Sequence, residues 1–167
     1  GSTPFGKDFA IAKIGEVARR IAAAEPPVAT DEVWQGFVKT FRFDPATEAA
    51  LLDGSATAAD YEKFGNLSAY AHAFSHTTIA QTVLRAGGAI NVLPSHAYLE
   101  MDIRPFPGQT QEELDDFLRE ALGDMADEVE IEHLITEDAT QSSTDTELWR
   151  CIEETAHEFF PDKEILP

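Results

Sequence analysis

The sequence lacks several features that mark particular classes of protein. Its single cysteine, Cys151, cannot form an internal disulfide, which fits a reducing compartment, and we expect the protein to be cytoplasmic. Only 12 Lys and Arg residues stand against 31 Asp and Glu, so the formal net charge is -19. A surface of that sign repels phosphate polymers and anionic lipid, which makes nucleic acid and membrane surfaces poor partners. No apolar run approaches the roughly 20 residues of a membrane-spanning helix.

The residues that are present are enough for one ordinary hydrophobic core. The chain has 167 residues, of which 43% are hydrophobic, and we expect one main domain. Residues 28–76 have a different sequence pattern from the rest of the chain, because short helix-like segments alternate there with Asp, Pro and Gly. Their aromatic side chains need burial: Trp34, Phe37, Phe41 and Phe43. We therefore predict a mostly helical insertion at 28–76 that packs on the main body.

Three further segments have the apolar period of a helix. The first can be capped by Asp8 and ends before Pro26, and the second has Thr110 and Glu113 at the spacing of a capping box. The third is predicted to start at Thr144, with Glu147 three residues later. Its apolar face carries Leu148, Cys151, Ile152, Thr155 and Phe159.

The strand signals lie between these helices. Residues 77–88 are rich in β-branched side chains and end in Gly87-Gly88, and residues 97–104 alternate strictly between apolar and polar side chains. We expect these two strands to pair antiparallel, and residues 129–135 to form a further strand. The predicted fold is α+β: a ferredoxin-like antiparallel sheet with helices on one face, its first strand missing, and a helical insertion.

Five short motifs follow one another along the chain: Ser2-Thr3-Pro4, Gly87-Gly88, Asn91-x-x-Pro94, Asp102-x-Arg104 and Pro107-Gly108. In order and spacing they resemble the lid, or dimerisation, domain of the M20 family of two-metal aminohydrolases. This family includes aminoacylases, succinyl-diaminopimelate desuccinylases, carboxypeptidases and some dipeptidases. The resemblance covers residues 2 to about 21 and 77 to about 135.

The resemblance implies a division of labour within a longer parent enzyme. Residues 1–139 would be the lid and dimerisation domain, with 28–76 as its insertion, and 140–167 a helix returning toward a catalytic domain that this sequence does not contain. Two zinc ions in that catalytic domain would activate water, and the parent would be a homodimer joined through its lids. The family's metal-ligand motifs and lid histidine are absent here, so we expect the isolated chain to be catalytically inert.

The same resemblance assigns substrate binding to Asn91 and Arg104, which would hold the substrate's terminal carboxylate in the partner subunit's active site. Both side chains suit this chemistry, because an amide can donate and accept and a guanidinium offers a planar fork to a carboxylate. The alternative is structural: Asn91 caps the turn before Pro94, and Arg104 pairs with Asp102 on an exposed sheet face.

The other candidate residues favour structural roles. His72 and His76 have the spacing of two metal ligands on a helix, but no third ligand accompanies them, so we assign no metal site in this chain. His96, His133 and His157 are interpreted as surface or core residues. Cys151 is predicted to be a small buried hydrophobe.

Two other functions remain open from the sequence. The chain could be a stand-alone ferredoxin-like homodimeric module that binds a ligand as a regulator, but that would not explain the match of Asn91 and Arg104 to a substrate-binding pair. It could also be a self-contained hydrolase using His72 and His76, which would require bound metal in the purified chain.

Overall fold

The computed structural model describes residues 4–7 and 9–166 of the chain. Its helices and strands confirm the predicted α+β class. In chain order they are α1 (Ala10–Ala23), α2 (Glu32–Thr40), α3 (Pro45–Asp53), α4 (Ala58–Glu62), α5 (Ser68–Ser75), β1 (Thr78–Ala86), β2 (Ala97–Arg104), α6 (Gln111–Leu122) and α7 (Glu147–Phe159).

The chain divides into two compact units. The first unit comprises the described residues up to Pro26 together with Thr77–Ala139. The second comprises Pro27–His76 and the described residues from Thr140 onward. The helices α2 to α5 therefore belong to one unit and the hairpin β1–β2 to the other.

The core of the first unit lies between α1, α6 and the hairpin. The hydrophobic spacing of α1 places Val17 and Ile21 in this core, where they pack with Leu122 and Met125. Partly buried residues of the strands complete it: Ile79, Leu99 and Met101. The predicted first helix is thus confirmed, although Asp8, its predicted cap, lies outside the described residues and Phe9 occupies the N-cap position.

The hairpin confirms the predicted antiparallel pairing and adds a β-bulge. Thr78 pairs with Arg104 at one end and Ala86 with Ala97 at the other, with a register shift between Gln81 and Val83. The extra residue is Thr82, and it reverses the alternation of β1 from that point on. As a result, Leu84 lies opposite Leu99 on the helix-facing side of the hairpin.

Two other predictions in the first unit had different outcomes. The capping box of α6 is confirmed, because the Thr110 hydroxyl accepts from the Glu113 N–H at 3.2 Å and the Glu113 carboxylate accepts from the Thr110 N–H at 2.8 Å. The predicted strand at 129–135 is wrong: the described residues there form no strand, and the two strands of the sheet pair only with each other. Alternation favours an extended chain, but a strand also needs a neighbour to hydrogen-bond with.

The second unit is built around Trp34. Its ring stacks on Phe37 and Tyr61, and its indole N–H donates to the Leu51 carbonyl at 2.8 Å, so this large buried side chain has no unpaired polar atom. The helices start at side-chain caps, Asp31 for α2 and Asp44 for α3. Bonds to Thr47 lower the pKa of Asp44 to about 2.

The last helix differs from its prediction in where it begins and in what it buries. It begins at Glu147, with the Thr146 hydroxyl accepting from the Trp149 N–H at 3.1 Å, so the predicted start at Thr144 is two residues too early. No described residue of α7 is buried. Leu148 and Phe159, on the predicted apolar face, are 70% and 72% exposed.

Candidate substrate-binding residues and the dimerisation domain

Asn91 lies in the connection between β1 and β2. This connection is held close to the start of α1, because the Ala10 N–H donates to the Pro94 carbonyl at 3.5 Å. Gly87 has φ +71, and a Cβ there would contact Pro94 and Ile11 at 3.7 and 3.9 Å. The Val92 N–H donates to the Ala89 carbonyl at 3.2 Å and closes a turn around Ile90 and Asn91. Asn91 is exposed.

Arg104 is the last residue of β2 and pairs with Asp102. Its Nε and Nη2 atoms donate to the same carboxylate oxygen, Asp102 Oδ2, at 3.3 and 3.1 Å. Side chains two apart in a strand lie on the same face, which explains how the Asp-x-Arg spacing produces this pair. The Arg104 side chain is 78% exposed, so the pair lies in water and its guanidinium is accessible to a ligand.

The structure does not bring Asn91 and Arg104 together within one protomer. Asn91 lies beyond the end of the hairpin where Ala86 pairs with Ala97, and Arg104 is at the other end, opposite Thr78. The eight residues of β2 extend over roughly 23 Å at the usual rise of a strand. A single small ligand therefore cannot contact both side chains of the same chain, and the substrate role of each residue stays a prediction.

The histidine pair in the second unit occupies the end of α5. His72 is in the helix and His76 is its C-cap residue, so the helix ends just before His76. Their rings stack with centroids 3.9 Å apart and planes 3° from parallel. Among the described residues, no group of three or more His, Cys, Asp or Glu side chains is arranged to hold a metal ion.

The remaining sequence candidates lie at the surface. Cys151 is exposed, so its prediction as a buried hydrophobe is wrong; the apolar face of α7 to which it belongs has no covering element in the described chain. His133 Nε2 is 3.2 Å from Asp115 Oδ2, a partly exposed contact within the first unit. His96 and His157 are exposed.

The sequence did not indicate a cavity beside the β-bulge. This cavity of about 190 Å³ lies between α1 and the hairpin and is open to solvent. Its lining residues are Ala18, Gln81, Thr82, Val83, Leu84 and Leu99. The Gln81 side-chain amide donates to the Ala18 carbonyl at 2.8 Å and ties the bulged strand to α1. A bulge has no composition signal, so only the structure reveals it.

The first unit thus combines the hairpin with α1 and α6, which share its hydrophobic core. A family model described as a peptidase dimerisation domain, of the M20 group, matches residues 6–130. The chain belongs to this M20 peptidase dimerisation domain family.

One relative extends this comparison. The chain is 31% identical over 97 residues to the "Probable carboxypeptidase S-like 2" of Dictyostelium discoideum, an alignment that covers 57% of this chain and 18% of the relative. The chain thus spans less than a fifth of that relative's length. No solved structure matches the chain. None of the described helices is both long and apolar enough to cross a membrane.

Proposed function

We propose that this chain is the lid and dimerisation domain of a longer, cytoplasmic M20-type hydrolase that cleaves an amide bond of an N-acyl amino acid or short peptide. The two zinc ions and the bond-breaking groups would belong to the parent's catalytic domain. The observation that carries the proposal is the family match over residues 6–130. The name of the Dictyostelium relative, a probable carboxypeptidase, supports the peptide or acyl-amino-acid substrate class.

The lid domain would join two copies of the parent through an exposed strand. In the hairpin, β1 pairs with β2 on one side, and among the described strands nothing pairs with its other side. An unpaired edge of this kind is a template for strand addition by a second chain, and a two-fold axis would make the contact reciprocal. Leu84 in β1, 57% exposed, would be covered by such a contact.

The dimer is tested by measuring molar mass with light scattering during size-exclusion chromatography. We expect twice the chain mass for the unmodified protein and a shift toward monomer for Leu84→Lys, because a lysine at a strand edge disfavours pairing. Leu148→Lys is the matched control, since Leu148 is also exposed but lies in α7, outside the family match. A monomeric unmodified chain, or equal effects of the two variants, would count against a dimer through β1.

Asn91 and Arg104 would contribute substrate contacts in the parent enzyme, each from its own end of the hairpin. Because these ends are far apart, we propose that the two residues do not contact the same substrate carboxylate from one chain. Arg104 would bind the substrate carboxylate by giving up its exposed ion pair with Asp102. Asp102 and the substrate both offer a carboxylate, so one can replace the other at the guanidinium.

In the parent enzyme, Arg104→Ala is expected to raise KM for a substrate with a free carboxylate by about tenfold or more, because a charge-assisted contact is lost. The effect should disappear for the corresponding carboxamide substrate. Arg85→Ala is the control, because Arg85 is an exposed arginine of the same hairpin that pairs with Glu100. If both variants raise KM equally, or if the carboxamide is affected equally, Arg104 does not bind the carboxylate.

The exposed apolar face of α7 fits a further part of this proposal. A helix of 13 residues with Leu148, Ile152 and Phe159 facing water has an amphipathic pattern without a covering surface. We propose that residues 140–167 return toward the catalytic domain of the parent and that this face packs there.

A further inference from the structure

The second unit contains a small cluster of hydrogen-bonded side chains around Ser75. This residue is completely buried and ends α5. Its hydroxyl donates to the Ala71 carbonyl at 3.0 Å, which leaves its oxygen to accept from the Tyr61 hydroxyl at 2.9 Å. His76 Nδ1 lies 3.0 Å from the same oxygen and 3.1 Å from the His72 carbonyl.

These contacts define the protonation of His76. Both neighbours of Nδ1 accept a hydrogen bond, so Nδ1 carries the proton and the second proton can bind only at Nε2. The ring is then held between Ser75 and the parallel ring of His72, 3.9 Å away. The edge of Tyr61 contacts both rings, at 5.2 and 5.4 Å between centroids.

The same residues join the two ends of the segment that forms α2 to α5. His76 forms an antiparallel bridge with Val28, and the Ala29 N–H donates to the Ser75 carbonyl at 2.6 Å. A displacement of the His76 ring would therefore act on the place where residues 28–29 and 75–76 are paired.

We propose that the stacked pair His72–His76 is an acid-sensitive contact: when both rings carry a proton they separate, and the pairing of residues 28–29 with 75–76 opens. Two like charges at this spacing repel, and one of them is half-buried. The effect is reversible, because it needs only proton exchange with solvent.

The side chains that face His76 either lower its pKa or carry no charge. Helix α5 contributes the imidazole of His72, α4 contributes the Tyr61 hydroxyl, and the bridging residues Val28 and Ala29 carry no charge. Burial and then the charge of His72 lower the pKa of His76, against a smaller opposite effect of the His72 carbonyl. No carboxylate of the described residues contributes to that shift.

The sign of the pH effect follows. Because the folded protein holds the pKa of His76 below its usual value, the unfolded chain takes up more protons as the pH falls below about 6.5. The stability contributed by neutral His76 is fully present above that pH and is lost as the pH falls toward the folded pKa. The local opening should therefore appear on the acidic side of neutrality.

The test combines histidine NMR titration with amide hydrogen exchange of the whole chain between pH 7.5 and 5.2, above the isoelectric range. We expect His76 to titrate below the usual histidine value of 6.5, and His72→Gln to raise the titration midpoint of His76 by about half a unit or more. We also expect protection of the Ala29 and His76 amides to fall by about tenfold beyond the intrinsic pH effect.

His76→Asn supplies the second variant, since its amide can replace Nδ1 but cannot be protonated. It should retain the protection of the Ala29 amide at pH 5.2, and His157→Asn should behave as the unmodified protein. If His76 titrates at 6.5 or above, if His72→Gln leaves the midpoint of His76 in place, or if amide protection is unchanged at pH 5.2, the proposal is wrong. Should His76→Asn fail to fold, the His72→Gln titration decides alone.

Discussion

At the scale of single residues, the buried polar groups of this protein are satisfied. Within the described chain, no buried side-chain nitrogen or oxygen lacks a hydrogen-bond partner. The contact between the Trp34 indole and the Leu51 carbonyl shows how this is achieved, because it places a polar atom inside the largest aromatic cluster without an unpaired group. Trp34 and Leu51 are both buried in this cluster, so a loss of packing there should destabilise the second unit.

Leu51→Ala is predicted to lower the free energy of unfolding of that unit by about 2–5 kcal/mol, because it removes a fully buried side chain and leaves a cavity. Urea denaturation followed by tryptophan fluorescence measures this, since Trp34 stands in the same cluster. Leu148→Ala makes the same chemical change at an exposed site and should alter stability by less than about 0.5 kcal/mol. Equal effects of the two substitutions would contradict the described core.

Asn91 and Arg104, the residues proposed to bind substrate, show which local contacts the sequence can predict and which distances it cannot. The Asp-x-Arg spacing predicted a pair on one strand face, and Arg104 does bond to Asp102. It could not show that Asn91 lies beyond the opposite end of the hairpin, because a distance between two residues on different elements depends on strand length and register. The exposure of Cys151 was likewise unpredictable, since it depends on whether another surface covers α7.

At the scale of elements, the sequence pattern was sufficient where the hydrogen bonds and caps of an element lie within the same helix or hairpin. Helices α1 and α6 were predicted from apolar period and caps, and the hairpin from alternation and the glycines that end its first strand. Residues 129–135 have the same alternation but form no strand, because pairing requires a partner that the pattern does not describe. The start of α7 moved from Thr144 to its actual cap, Thr146, because both threonines have a suitable side chain.

The capping box of α6 allows a test at this scale. Thr110→Ala should reduce the free energy of unfolding by about 0.5–2 kcal/mol, because it leaves the Glu113 N–H without its acceptor. Thermal denaturation followed by circular dichroism measures the loss, and Thr110→Ser, which retains a hydroxyl, should recover most of it. An alanine variant as stable as the serine variant would show that the hydroxyl does not support the helix.

At the scale of the whole molecule, charge is the dominant property. With a net charge of -19 and an isoelectric point near 4.4, the chain carries a strong negative field at neutral pH. This field opposes binding to any polyanion and keeps the copies of the chain soluble. It also means that a contact between two copies must overcome repulsion between them.

Three measurements follow from this charge. The chain should not retard double-stranded DNA in a gel-shift assay even at low salt, because it would bring few cations to the phosphates. Turbidity should rise as the pH falls from 7 toward 4.4, where the net charge vanishes. Added salt should strengthen any dimer seen in solution, since it screens the repulsion; a dimer that weakens with salt would require a different, ionic contact.

The extra residue in β1 has one more consequence. Side chains alternate between the two faces of a strand. The extra residue Thr82 places each later residue of β1 on the face opposite to the one that strict alternation would give it. If β1 paired every residue in turn, with Thr82 opposite Glu100, Leu84 would lie on the solvent side and Arg85 on the helix side. Deleting Thr82 would instead remove the bulge and leave Leu84 opposite Leu99, so β1 would offer a second copy of the domain a straighter edge with the same side chains on each face.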